Sequence, residues 1–224
     1  MALARFLLRW LETSIFEVFP LNIHKSEISV DDNWFALSIF GSLLKLTDGF
    51  VFFGTLLGLI REGAPIKGDD DVDFYVDVRH FEHVKKTLMA SGFKIDVSAP
   101  PNNTLWFLQA DGHIEGRQIR ADFYFFDQTT DTHFVIEPWN FMGTLNNTPS
   151  HLRIPKSLLF PLASRKFGDI ELNFPACPEV LCEFLYGLDW RTPKKKGTDY
   201  HTNVIGGRPV RFSVNDSGGF SLLP

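Results

Sequence analysis

Residues 50–77, FVFFGTLLGLIREGAPIKGDDDVDFYVD, decide how the chain reads. The periodicity predicts a short apolar strand, a Gly54-Thr55 turn, a helix that stops at Gly63, and a second strand entered through Asp69, Asp70 and Asp71. On that strand Asp71 and Asp73 stand at i and i+2, so both carboxylates leave one face while Val72 and Phe74 point to the core. Paired carboxylates repel each other. A divalent cation relieves the repulsion, and hard oxygen ligands suit Mg²⁺ or Mn²⁺. The Gly54-Thr55 turn opens a helix whose free N–H groups and positive dipole end suit a phosphate. Metal on one side and an anion cradle on the other suggest phosphoryl or nucleotidyl transfer. Taken singly, an acidic turn is a solvated loop and a Gly-Thr pair merely starts a helix; their joint placement carries the functional reading.

A third carboxylate follows from Ile119 to Phe126, IRADFYFF, where Asp122 stands among apolar neighbours in a strand that must be largely buried. An ionised carboxylate there is costly unless paired or bound to metal. Arg120, two positions earlier, leaves the same face, so a structural Arg120–Asp122 salt bridge competes with the metal reading. With Asp71 and Asp73 upstream, a shared metal site explains Asp122 better.

The whole chain of 224 residues is long enough for one compact domain with a full core, and its 44% hydrophobic and 22% charged content is that of a soluble globular protein. A net charge of −5 offers no broad basic surface, so no nucleic-acid partner is expected. Cys177 and Cys182 are too few for a disulfide framework or a four-thiolate zinc site and are expected as free thiols. No run approaches the ~20 apolar residues of a transmembrane segment. Leu3, Phe6, Leu7, Trp10 and Leu11 have the spacing of an amphipathic helix packed on the domain, and Arg5 and Arg9 interrupt any signal-peptide core. The sequons at Asn102, Asn146 and Asn215 matter only in a secretory lumen.

Elsewhere, Asp31 or Asp32 is expected to cap a helix running through Leu44 toward Asp48-Gly49, and Arg79 to Ser91 reads as a helix stopped by Gly92. His80 and His83 on it lack a third metal ligand nearby in sequence. A strand from Leu105 to Ala110 is expected to turn at Asp111-Gly112, and His133 to Glu137 is another strand. A hairpin around Gly168-Asp169 precedes a helix begun by Pro178 and ended by Gly187; the segment from Thr192 reads as a loosely held tail.

The segment GTLLGLIREGAPIKGDDDVDFYV closely resembles the hallmark of the LicD/fukutin family, and IPKSLLFPLASRKFGDIELNFPACPEVLCEFLYGLDWRTP resembles that family's second signature. The resemblance implies an α+β fold, a nucleotidyltransferase-like mixed β-sheet flanked by helices. Residues 1–49 would form N-terminal helices, residues 50–193 the catalytic domain and residues 194–224 a C-terminal tail. It implies a phosphotransferase moving a phosphorylated alcohol, such as phosphocholine or ribitol phosphate, from a CDP-linked donor to a hydroxyl of a glycan or glycolipid, with release of CMP. Asp71, Asp73 and Asp122 would hold the metal. Gly54, Thr55 and Arg61 would meet the donor phosphates, and Asp69 and Asp70 match the start of the family's aspartate run. Tyr186 and Trp190 are possible substrate contacts through stacking on cytosine, although aromatics beside a helix end are more often core. Lys67-Gly68 replaces the family's Pro-Trp before the aspartates. Two alternatives stay open: NMP transfer from an NTP, and a non-catalytic binding module on the same fold. A cytoplasmic location is expected, or the Golgi lumen if an anchor precedes this chain.

Overall fold

A computed structural model describes residues 28–96, 107–129, 131–145, 148–194, 210–214 and 220–222. The expected N-terminal amphipathic helix and the three sequons lie outside the described residues.

Helix α1 (Val30–Leu43) starts two or three residues earlier than its acidic residues suggest. The cap is Ser29, whose hydroxyl accepts from the Asp32 amide at 3.1 Å while the Asp32 carboxylate accepts from the Ser29 amide at 3.1 Å. This reciprocal box satisfies two otherwise orphaned donors, which neither aspartate could do as the cap itself. After a 3₁₀ turn at Leu44–Leu46 come β1 (Phe50–Val51), α2 (Phe53–Arg61) and β2 (Val72–Asp77). A second 3₁₀ turn leads into α3 (Phe81–Ala90), then β3 (Lys94–Asp96), β4 (Phe107–Ile114) and β5 (Arg117–Phe126). These strands form one mixed five-stranded sheet in the order β1-β2-β5-β4-β3, with β2 and β5 parallel and the other neighbours antiparallel.

The β4–β5 hairpin corrects the expected turn at Asp111-Gly112. The strand runs straight through that pair, and the chain reverses at Glu115-Gly116, where φ is 51° and 77°. Two consecutive positive φ values match the twist of the flanking strands. Gly112 is small for another reason: a Cβ there would stand 2.7 Å from the Phe93 ring.

The sheet has two different faces. Val72, Phe74, Val76, Ala121, Phe123 and Phe125 are buried on one, where Phe40 of α1 meets Phe123 with ring centroids 5.8 Å apart and Phe81 of α3 meets Phe125 at 4.8 Å. The opposite face carries Asp73, Tyr75, Asp77, Asp122 and Tyr124, all odd-numbered on β2 and even-numbered on β5 because the parallel register sets Asp73 beside Asp122. Phe52 stacks on Tyr75 at 4.0 Å and Phe53 meets Tyr124 at 4.8 Å, so α2 closes this face at its first turn.

The second half of the chain contributes β6 (Phe134–Leu145), β7 (Thr148–Pro155), the short α4 (Lys156–Leu159), β8 (Ala163–Phe167), β9 (Ile170–Phe174) and α5 (Pro178–Tyr186). β8 and β9 pair around Gly168, and Pro178 opens α5, both as the sequence predicts. The hairpin is tied to the main sheet by Asn173, whose Nδ2 donates to the Gly49 carbonyl at 3.1 Å. Part of the expected loose tail is ordered into sheet: β10 (Val210–Val214) pairs with β7, and β11 (Phe220–Leu222) with β10. The apolar alternation there is short, so pairing with an existing edge decides the structure rather than local propensity. No helix among the described residues is long and apolar enough to cross a membrane.

Candidate metal and transferase centre

Asp73 is the centre of the site. It is 6% exposed, its amide donates to Thr55 Oγ1 at 2.8 Å, and its Oδ2 accepts from the Thr55 amide at 3.2 Å. Thr55, buried on the first turn of α2, thus locks the carboxylate against the helix N-terminus, where backbone N–H groups and the dipole favour an anion. Gly54 makes the contact possible: a Cβ at that position would stand 2.9 Å from Asp69 Oδ2 and 3.1 Å from Asp73 Oδ2.

Three carboxylates converge here. One oxygen from each of Asp69, Asp71 and Asp73 lies within 4.8 Å of the others, a group that could hold a metal ion. Burial, then the neighbouring charges of Asp71, Asp122 and Asp69, push the Asp73 carboxyl well above the usual carboxylate range, and the Thr55 amide only partly offsets this. Such a group is poorly served by its own surroundings when ionised. A hard divalent cation at the convergence point would relieve both the burial and the repulsion, so the donor set fits Mg²⁺ or Mn²⁺.

Asp122 stands beside Asp73 in register and on the same face, and its Oδ1 accepts from Gln109 Nε2 at 2.8 Å. Gln109, Asp122 and Asp73 therefore form one row across three adjacent strands. Asp69, Asp71 and Asp73 make up the convergent group, so Asp69 enters the cluster more fully than expected and Asp122 flanks it. The bend before β2 folds Asp69 back over Gly54, while Gln109 holds Asp122 toward β4. The Tyr124 phenol, two residues beyond Asp122, is raised well above its ordinary value by burial and then by Asp73, Asp122 and Asp71.

The Arg120–Asp122 salt bridge that competed with the metal reading does not form. The Arg120 guanidinium goes to Asp111 Oδ2 at 2.9 Å and to Asp70 Oδ2 at 3.4 Å, both on its own side of the row. Register explains it, since Asp111 lies directly opposite Arg120 on β4.

Of the remaining expected site residues only Thr55 touches Asp73. Arg61 ends α2, about 10 Å of helix from Gly54, and its side chain, 7% exposed, pairs with Glu62. Thr55 spends both its amide and its hydroxyl on Asp73. Trp190 is 3% exposed within the core, with the Arg191 guanidinium 4.1 Å from its ring, and Tyr186 packs half-buried at the end of α5. His80 and His83 join no metal-ligand group among the described residues.

Two supporting residues escaped the sequence reading. Gln109 was invisible because a turn at Asp111-Gly112 would set it opposite Ile114 instead of Asp122. Asn33 of α1 donates from Nδ2 to the Asp69 carbonyl at 3.0 Å across 36 residues, a contact that only the tertiary fold creates.

A family model described as LicD/FKTN/FKRP, nucleotidyltransferase domain, matches residues 48–177, which include the whole aspartate run, Gln109 and Asp122. The chain belongs to the LicD/FKTN/FKRP family. Its α+β architecture, a mixed sheet flanked by helices, is that of a nucleotidyltransferase domain, and membership places it among transferases in general. Among solved structures, the lincomycin-bound crystal structure of the lincosamide antibiotic adenylyltransferase LnuA is similar over 80% of this chain and 96% of its own, at 13% identity and a TM-score of 0.47. No curated protein matches the chain.

Proposed function

We propose that this LicD-family chain is a metal-dependent phosphotransferase that moves a phosphorylated alcohol from a CDP-linked donor to a hydroxyl of a glycan or glycolipid and releases CMP. The observation that carries the reading is the in-register row of Asp73 and Asp122 beside the convergent Asp69 and Asp71, set in a domain of this family. Asp69, Asp71 and Asp73 would hold Mg²⁺ or Mn²⁺, with Asp122 as the flanking carboxylate. When bound, the ion supplies charge neutralisation for the attacking and leaving oxygens.

The chain's own groups divide the remaining work. Thr55 fixes Asp73 against the first turn of α2, and the missing side chain at Gly54 lets the Asp69 and Asp73 carboxylates come together there. Asp122, steadied by Gln109, orients the acceptor hydroxyl and takes its proton as the new oxygen–phosphorus bond forms and the bond to CMP breaks. Positioning and fixed charge do most of the catalysis in such transfers, which suits a site built of short side chains on two rigid strands.

A second reading, NMP transfer from an NTP, is favoured by the nucleotidyltransferase description of the family domain. It uses the same carboxylates and differs in the phosphorus attacked. Incubation with CDP-choline or CDP-ribitol, and separately with CTP or ATP, in Mg²⁺ and a panel of glycan acceptors distinguishes them. CMP release supports the first reading; pyrophosphate release replaces it with the second.

A further inference from the structure

We propose that Arg120 is the residue that grips the substrate's phosphate, swinging one edge of its guanidinium from Asp70 onto the phosphate while Asp111 holds the other edge. The proposal rests on the reading that the site handles a phosphorylated donor. It starts from strand register. Arg120 lies opposite Asp111 on β4 and two residues before Asp122 on the same face, so it occupies the row adjoining the Asp73–Asp122 row, ~7 Å along the strand. That is about the span from a bound cation to the far oxygens of a diphosphate.

The bonds Arg120 makes are unequal. Nε and Nη2 both reach Asp111 Oδ2, at 3.2 and 2.9 Å, whereas Nη1 reaches Asp70 Oδ2 at 3.4 Å. Asp70 is also the more exposed partner, 43% against 30% for Asp111. A long, solvent-accessible ion pair contributes little, while a charge-assisted guanidinium–phosphate bond is among the stronger polar contacts. Exchanging Asp70 for phosphate is therefore favourable, and the grip of Asp111 keeps the planar fork aimed. The need is clear from the charges: a polyphosphate approaching Asp69, Asp70, Asp71, Asp73 and Asp122 meets repulsion that a divalent cation offsets only in part. Arg61 is two helical turns away and engaged with Glu62.

The test is calorimetric titration of inorganic pyrophosphate with Mg²⁺ into wild type, R120Q, R120K and D70N, with Mn²⁺ affinity by paramagnetic resonance as the control for an intact cluster. The expected result is pyrophosphate binding weakened roughly tenfold to a hundredfold in R120Q, partly retained in R120K, and equal or tighter in D70N. Mn²⁺ affinity should be held or tightened in R120Q. Wild-type pyrophosphate affinity in R120Q, a parallel loss of Mn²⁺ affinity, or no pyrophosphate binding by wild type overturns the proposal. CMP release from CDP-linked donors is read separately: its absence beside the expected pyrophosphate pattern sinks the donor assignment and leaves Arg120 standing.

Discussion

Asp73 is the residue at which stability and chemistry oppose each other. Its folded-state pKa is raised above the unfolded value near 3.8, so its ionised form costs folding free energy, and that cost grows as pH rises from about the unfolded value through the folded one. Replacing it by Asn keeps an acceptor for the Thr55 amide and removes the buried charge. In chelator-treated protein at neutral pH, D73N is expected to melt a few degrees above wild type, with the difference vanishing as pH falls toward 4. D73N should also lose transferase activity by a hundredfold or more. A second residue-scale prediction concerns Gly54. Ala is a better helix former, yet its Cβ would enter space held by the Asp69 and Asp73 oxygens. G54A should leave the melting temperature within a few degrees of wild type and weaken Mn²⁺ binding at least tenfold; unchanged Mn²⁺ affinity would show that the carboxylates do not need this approach.

At the scale of elements, α2 and β2 were legible because their signals are local: an apolar run, a glycine stop and alternating aspartates. Asp122 was legible for the same reason, a lone carboxylate in an apolar strand. The β4–β5 register was not. Asp111-Gly112 is the stronger hairpin dipeptide, but burying Phe93 against Gly112 and pairing Gln109 with Asp122 moves the turn to Glu115-Gly116. Glu115 holds φ of 51°, which Asn tolerates better than Glu. E115N is expected to stabilise the protein by several tenths of a kcal/mol to about 1 kcal/mol, read as a shifted denaturation midpoint at constant slope. Likewise the cap of α1 was displaced by two or three residues, since Ser29 and Asp32 satisfy each other; S29A should cost about 1 kcal/mol. A smaller loss would assign the start of α1 to packing alone. Arg61 is a case where the resemblance and the local geometry point to different surroundings. A resemblance in sequence carried it to the phosphates, while the helix axis carries it to the far end, beside Glu62.

Over the whole molecule, buried carboxylates give two opposite acid responses. The Asp77 carboxyl would be raised by burial, but hydrogen bonds from Arg79 and Gln128 outweigh this and hold it low; the Asp131 carboxyl is likewise kept low by the amides of His133 and Phe134 against burial. Both contribute stability above the unfolded value near 3.8 that is lost as pH falls through their folded values. Asp73 runs the other way, so the apo protein is expected to lose less stability on acidification than the metal-loaded protein, whose bound ion a proton must displace. Melting curves with and without Mn²⁺ between pH 4 and pH 8 check this: the gap should close as pH falls.

The central claim is that Asp69, Asp71 and Asp73 form one cation site with Asp122 at its flank. Titration of Mn²⁺ into wild type and D73N, followed by paramagnetic resonance of the free ion, tests it most directly. Saturable, stoichiometric binding by wild type that is lost in D73N is the predicted result; an equal and weak response from both would contradict it.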